Sequence, residues 1–241
     1  MDEKTASQYQ RLAIEGVVIV VSILLAFGID AMWEERQLRL EEEDALIALH
    51  ADFTANLEQI DSIIEAHLLF RERVATLVRL SPEEIRVLPQ KTISEYMLAA
   101  ANPWTFNAVT GTTEALLGSG KLSVLRDQEL REALITFRGM LSDMAEDTAY
   151  ITQGAEDFWK YEYRHGGPWT DPETEVGYSG DIGGLDFIPR ATAEDLLNVR
   201  ADPELMGRSK RFHINVGYYL SELGHIRNQI VLILDLLAQD D

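Results

Sequence analysis

Five side chains in this sequence are of the type that ligates transition metals or moves protons near neutral pH: His50, His67, His165, His213 and His225. No two of them lie three or four residues apart, and no His-Glu-x-x-His pair occurs, so spacing builds no metal pair on a helix face. His67 falls near an apolar helical stripe. A hydrogen-bonded interface histidine is expected there, with a ligand or pH-sensing role as the alternative. Cysteine is absent, which excludes disulfides, thiolate-bound zinc, iron–sulfur clusters and a Cys nucleophile.

Other motifs fall short in the same way. Asp171, Glu173 and Glu175 alternate, with Asp181 and Asp186 nearby, as oxygen ligands do in calcium loops. An EF-hand needs Gly at its sixth position and Glu at its twelfth, where this chain has Val176 and Ile182. A solvated acidic loop is the better reading. The glycine-rich stretch Gly177–Gly184 lacks the flanking strand, helix and Lys-Ser/Thr of a phosphate loop. Gly118-Ser119-Gly120 lacks the rest of a nucleophile elbow and reads as a helix stop followed by a turn. No catalytic, metal-binding or cofactor-binding residue is assigned, no cofactor is expected, and the chain is not expected to be an enzyme.

Binding is the remaining chemistry. Phe158, Trp159, Tyr161, Tyr163 and Trp169 cluster in sequence. Core packing and a loop lid account for most of them, while Trp159, Tyr163 and Trp169 are candidate partner or ligand contacts. The run Ile230-Val231-Leu232-Ile233-Leu234 is apolar around the whole helix and too short to span a bilayer. Either the fold buries it on several sides, or Ile230 and Ile233 meet a partner.

The 241 residues include 41 acidic and 21 basic side chains, a net charge of -20. Phosphate neutralisation needs clustered Lys and Arg, so nucleic acid is not an expected partner. With 46% hydrophobic residues the chain can build a core.

Gly16 to Ile29 contain no charge, and Ser22 is their only polar side chain. Extended to Leu12 and Trp33, the stretch has 22 residues, enough for a bilayer core of about 20. Glu15 and Asp30 each lie about one turn from an end, within reach of headgroups and water, and Trp33 falls where an interfacial anchor belongs. Glu15, Gly16, Asp30 and Trp33 are therefore the candidate anchor residues. Glu15 either pairs with a basic group of another membrane protein or sits idle at headgroup level. Two rivals remain. One is a cleaved secretory signal ending near Ala26-Phe27-Gly28, although the preceding segment is not basic. The other is a buried core helix, which would not need to be apolar all round.

Basic residues tie across the span, with Lys4 and Arg11 before it and Arg36 and Arg39 after it. The short N-terminal tail and the acidic run that follows favour an inner-membrane protein with most of the chain outside the cytoplasm. Beyond residue 33 the charge is -18, which argues against that part lying flat on anionic lipid.

The rest reads as all-α: a transmembrane helix continuing into an antiparallel bundle of three long helices, with short helices between and one long irregular loop. Residues 1–33 form the tail and anchor, and 34–241 the bundle with a Gly/Pro-rich insertion at 166–209. The first long helix carries Leu46, Leu49, Phe53, Leu57, Ile60 and Ile64 at spacings of three and four, then Val74 and Val78. It stops before a capping box, Ser81-Pro82-Glu83-Glu84. A second capping box, Thr92 with Glu95, opens Ile93–Ala101, and Thr110–Leu117 forms another short helix. The second long helix runs from about Gln128 to about Tyr163, capped by Asp127. The third runs from about Glu204 to Ala238, capped by Asp202 with Pro203 first. Ala193–Val199 is helical after Thr192, and Glu175–Tyr178 with Leu185–Ile188 could pair as a hairpin.

Two stretches resemble an uncharacterised bacterial family of single-pass membrane proteins. One is Ile14-Glu15-Gly16 leading into the apolar span and Ile29-Asp30-Ala31-Met32-Trp33-Glu34-Glu35-Arg36. The other is Thr110 to Leu134, with Leu116-Leu117-Gly118-Ser119-Gly120-Lys121-Leu122 at its centre. The family more often has amides where this chain has Asp30-Ala31. The resemblance implies the anchor and the helical fold, and no activity. The expected partners are the lipid bilayer through residues 12–33 and a partner protein or a second copy. The expected function is a membrane-anchored interaction or scaffold protein. A ligand-sensing domain using the 166–209 loop is the first alternative, and a cation-dependent hydrolase the second.

Overall fold

The computed structural model describes the backbone of residues 3–164 and 191–239, and the side chains of residues 16, 19–161 and 191–239. Among these residues it holds seven α-helices, one 3₁₀ turn and no strand: α1 (Glu3–Arg79), α2 (Pro82–Arg86), α3 (Gln90–Ala99), α4 (Gly111–Gly118), the 3₁₀ turn (Lys121–Val124), α5 (Gln128–Arg164), α6 (Ala193–Ala201) and α7 (Pro203–Leu237).

α1 is one uninterrupted helix of 77 residues, about 115 Å long at 1.5 Å per residue. No Pro lies within it, so nothing removes a backbone donor. Its last turn is closed by Arg200 of α6, whose guanidinium donates to the carbonyls of Leu80 and Val78. A cation there also suits the negative end of the helix dipole.

The upper part of α1 packs with α5 and α7 into the bundle core. α7 runs antiparallel to α1, since Arg227 pairs with Asp61 at 2.5 Å while Tyr219 meets His67. It also runs antiparallel to α5, with Gln229 donating to Ala133 O and Tyr161 donating to Asp202. α1 and α5 are parallel: Phe53 meets Phe137 edge-on with centroids 4.9 Å apart, and Glu42 pairs with Arg126 one end lower. Phe212, Val216, Tyr219, Leu223, Ile226, Ile230, Ile233 and Leu237 follow one stripe of α7 at spacings of three and four, and all are buried. On α5 the stripe Leu130, Leu134, Phe137, Leu141, Met144, Thr148, Ile151, Ala155 and Phe158 is buried or half-buried throughout.

The α1 stripe is corrected in phase. Its seam is Leu49, Phe53, Asn56, Ile60, Ile63, His67, Phe70, Val74 and Leu77, all buried, at strictly alternating spacings of four and three. That is the 3.5-residue repeat that keeps a seam against a neighbouring helix. Leu57 and Ile64 are half-buried flanks, and Val78 is exposed.

Caps follow the local sequence closely. Ser81 and Glu84 form the reciprocal capping box of α2. Thr192 and Asp195 form another on α6. Asp127 Oδ1 accepts from the Glu129 and Leu130 amides. Asp202 Oδ1 accepts from the Glu204 amide at 2.8 Å and the Leu205 amide at 3.1 Å. Replacing Asp202 by Ala orphans both donors while Pro203 still favours a helical start. The expected cost is about 1 kcal/mol, checked as a lowered midpoint in thermal unfolding.

α3 departs from its expected start. It begins at Gln90 with Pro89 as its cap residue and no side-chain cap. Glu95 does not reach back to Thr92; it pairs with Arg73 of α1 at 3.2 Å. Gly118-Ser119-Gly120 is the expected helix stop: α4 ends at Gly118, and Gly120 has φ +70°, the left-handed region that glycine enters without strain.

Among the described residues no helix is long and apolar enough to cross a membrane. Six side chains of the expected 12–33 span, those of residues 12–15, 17 and 18, lie outside the described set.

Candidate functional site

Between α3 and α4 the chain runs without regular structure from 101 to 110. This strap lies along α1 and α7, with Trp104 and Phe106 buried. A buried segment outside helix and sheet must still satisfy its backbone, and here side chains of the long helices do so. His213 donates through Nε2 to Ala99 O, and Ser209 donates to Ala100 O. His67 donates through Nε2 to Trp104 O at 2.8 Å. The Phe106 amide donates to the Tyr219 hydroxyl at 2.8 Å, and the Asn107 amide to Gln59. Asn56 completes the series: its Oδ1 accepts from the Val109 amide at 2.7 Å and its Nδ2 donates to Val109 O at 2.9 Å. Its amide thus pairs with one residue's backbone as a neighbouring strand would.

Two polar residues on the α1 seam, Asn56 and His67, are therefore receptors for the strap. His67 meets the expected hydrogen-bonded interface histidine. Nε2 of His67 and of His213 faces a carbonyl oxygen and so carries a proton, while neither Nδ1 has a hydrogen-bond partner among the described residues. Burial holds the His67 pKa below the usual histidine value. His213 is pushed down to about 4, chiefly by burial, with Arg71 and His67 adding repulsion. The Tyr219 hydroxyl is pushed up by the same loss of solvent. These groups are buried and engaged with backbone, so the arrangement positions the strap.

The lower part of α1 is a different surface. Every described side chain from Ile19 to Leu40 is exposed; the first less exposed residue is Glu41. Glu41 pairs with Lys121, and Glu42 with the Arg126 side chain and amide, so the acidic run after the apolar stretch begins the bundle. Below it Ile23, Leu24, Leu25, Phe27, Ile29 and Trp33 face outward on all sides of the helix, Trp33 at 71% exposure. Gly16 and Asp30 are exposed too, and Glu15 has no described side chain.

Ile230 and Ile233, weighed as partner contacts, are fully buried against α5 and α1 and belong to the core. Leu232 is the outward member of that run. Trp159 is 36% exposed on α5. The side chains of Tyr163 and Trp169 lie outside the described residues. So do His165, the acidic loop, the glycine-rich stretch and the expected hairpin. His50 and His225 stand apart on α1 and α7, and among the described residues no group of three His, Asp or Glu is placed to hold a metal.

The fold and these surfaces define a class: a three-helix bundle, closed by a side-chain-pinned strap, on a continuous helix whose lower described side chains, from Ile19 to Leu40, are exposed. No protein-family model, no curated protein and no solved structure matches the chain.

Proposed function

We propose that this is a membrane-anchored interaction protein. In this reading α1 crosses an inner membrane through residues 12–33 and carries the bundle outside the cytoplasm, where it binds another protein. The observation that carries it is the exposed apolar sleeve from Ile19 to Trp33 on a helix that continues unbroken into the bundle. A contiguous apolar surface of this kind marks contact with lipid or another protein. The all-round pattern suits lipid, since a protein partner would need only one face.

Membrane fractionation tests the anchor. The full chain is expected to remain in membranes through alkaline carbonate washing. Ile23→Arg with Leu24→Arg is expected to release most of it, because each charge at mid-span costs about 3 kcal/mol. Release of the unsubstituted chain by carbonate, or an intact mass lacking the first residues through about Gly28, overturns the anchor. Crosslinking in native membranes tests the interaction: a strictly monomeric, partnerless protein overturns it.

A further inference from the structure

The outer seam between α1 and α7 carries a groove of about 520 Å³ floored by Val74, Ala75, Val78, His213 and Ile214 and rimmed by Arg71, Arg79 and Lys210. The apolar face continues beyond it, with Leu68 one face-step down α1 and Tyr218 one turn along α7, the latter 67% exposed. Residues 68, 71, 75 and 78 follow one face of α1, and 210, 214 and 218 one face of α7. The two helices thus present a trough in which a further helix could lie.

Charge selects the occupant. The chain carries -20 overall, and most of its described cations are engaged: Arg73 with Glu95, Arg126 with Glu42, Arg138 with Glu114, Arg208 with Glu204, Arg227 with Asp61. Arg71, Arg79 and Lys210 make no hydrogen bond or ion pair to any described residue, yet they converge on this groove. The Arg71 guanidinium lies beside Gly217, 3.8–3.9 Å from where a Cβ there would stand, and lines the trough. Eight residues separate Arg71 from Arg79, about 12 Å along the helix. Two acidic side chains seven or eight residues apart on a helix match it, while the apolar face between them covers Val74, Val78 and Ile214.

We infer that this groove is a docking site for an acidic amphipathic helix of a partner protein, with its charges on Arg71, Arg79 and Lys210. The inference deepens the interaction reading above by naming the face and the chemistry of the partner.

The test uses the full chain in zwitterionic nanodiscs, with empty nanodiscs as blank, and a fluorescent peptide of about three heptads bearing Leu on one face and Glu at i and i+7. Saturable binding is expected, weakened by added salt. Arg71→Glu with Arg79→Glu is expected to lower affinity at least about tenfold, as is Ile214→Asp, whereas Arg71→Lys with Arg79→Lys retains binding. All the substituted side chains are exposed, so unfolding midpoints should match the unsubstituted chain. The inference is overturned if the Glu peptide does not bind, if a Lys-for-Glu peptide binds equally, or if charge reversal leaves affinity unchanged. It is also overturned if dodecanoate binds through the same arginines, or if those arginines instead drive self-association of the chain. Crosslinking to a partner in native membranes that survives Arg71→Glu with Arg79→Glu would sink the groove and leave the interaction reading standing.

Discussion

Acidification from about pH 7 to about pH 4 is expected to cost the fold about 3 kcal/mol at His213 alone. The sign follows from which state binds the proton. Unfolded histidine protonates near pH 6.5, whereas folded His213 resists until about 4. Between these values the unfolded chain holds a proton that the folded chain does not, so stability falls as pH falls through that window. Above about pH 6.5 neither state is charged and the slope vanishes. His67 shifts in the same direction and adds to the loss. Protonation would add a donor at His213 Nδ1, which has no partner among the described residues, near His67 and Arg71. Urea unfolding across this pH range measures the effect. His213→Gln keeps a side-chain donor for Ala99 O and does not titrate, so it should flatten the slope by up to one proton. An unchanged slope in that variant would mean that His213 is not held neutral.

The second large effect is expected at Tyr219, the largest fully buried side chain among the described residues. Its ring meets His67 edge-on at 5.8 Å, and its hydroxyl accepts the Phe106 amide. Tyr219→Phe keeps the ring and strands that amide in the core, at an expected cost of about 1–3 kcal/mol. Tyr219→Ala also opens a cavity where α1, α7 and the strap meet, and removal of a large aromatic core side chain costs about 3–5 kcal/mol. Against a typical total of about 5–15 kcal/mol, the Ala variant is expected to be close to unfolded at physiological temperature. Denaturant midpoints for the two variants separate the hydrogen bond from the packing. A Phe variant as stable as the parent would show that the strap is not held there.

These expectations also show which parts of the molecule are written locally. Asp202-Pro203 and Asp127 cap their helices because cap and orphan amides lie within three residues of one another. The seam of α1 was harder to read because two of its nine positions, Asn56 and His67, are polar. Counting apolar residues alone slid the stripe by one, onto Leu57, Ile64 and Val78. The strap is illegible by the same logic: its partners on α1 and α7 lie 37 to 114 residues away in sequence. Asn107 and Pro103 mark it as non-helical but cannot show that it is buried. The α1/α7 groove is likewise a product of tertiary packing, since Arg71, Arg79 and Lys210 are brought together only when α7 folds back along α1.

The unbroken backbone of α1 has a geometric consequence for its two ends. In a straight helix each residue adds about 100° of rotation and 1.5 Å of rise, so the number of residues between Trp33 and Arg71 fixes the compass bearing of the upper face relative to the lower one. Inserting a single residue in the exposed stretch below Glu41 would swing every surface of the bundle by more than a quarter turn while lifting it hardly at all. Inserting seven would nearly restore the original bearing at greater height. Reach and bearing are thus set independently by the length of one helix, without a hinge to blur either.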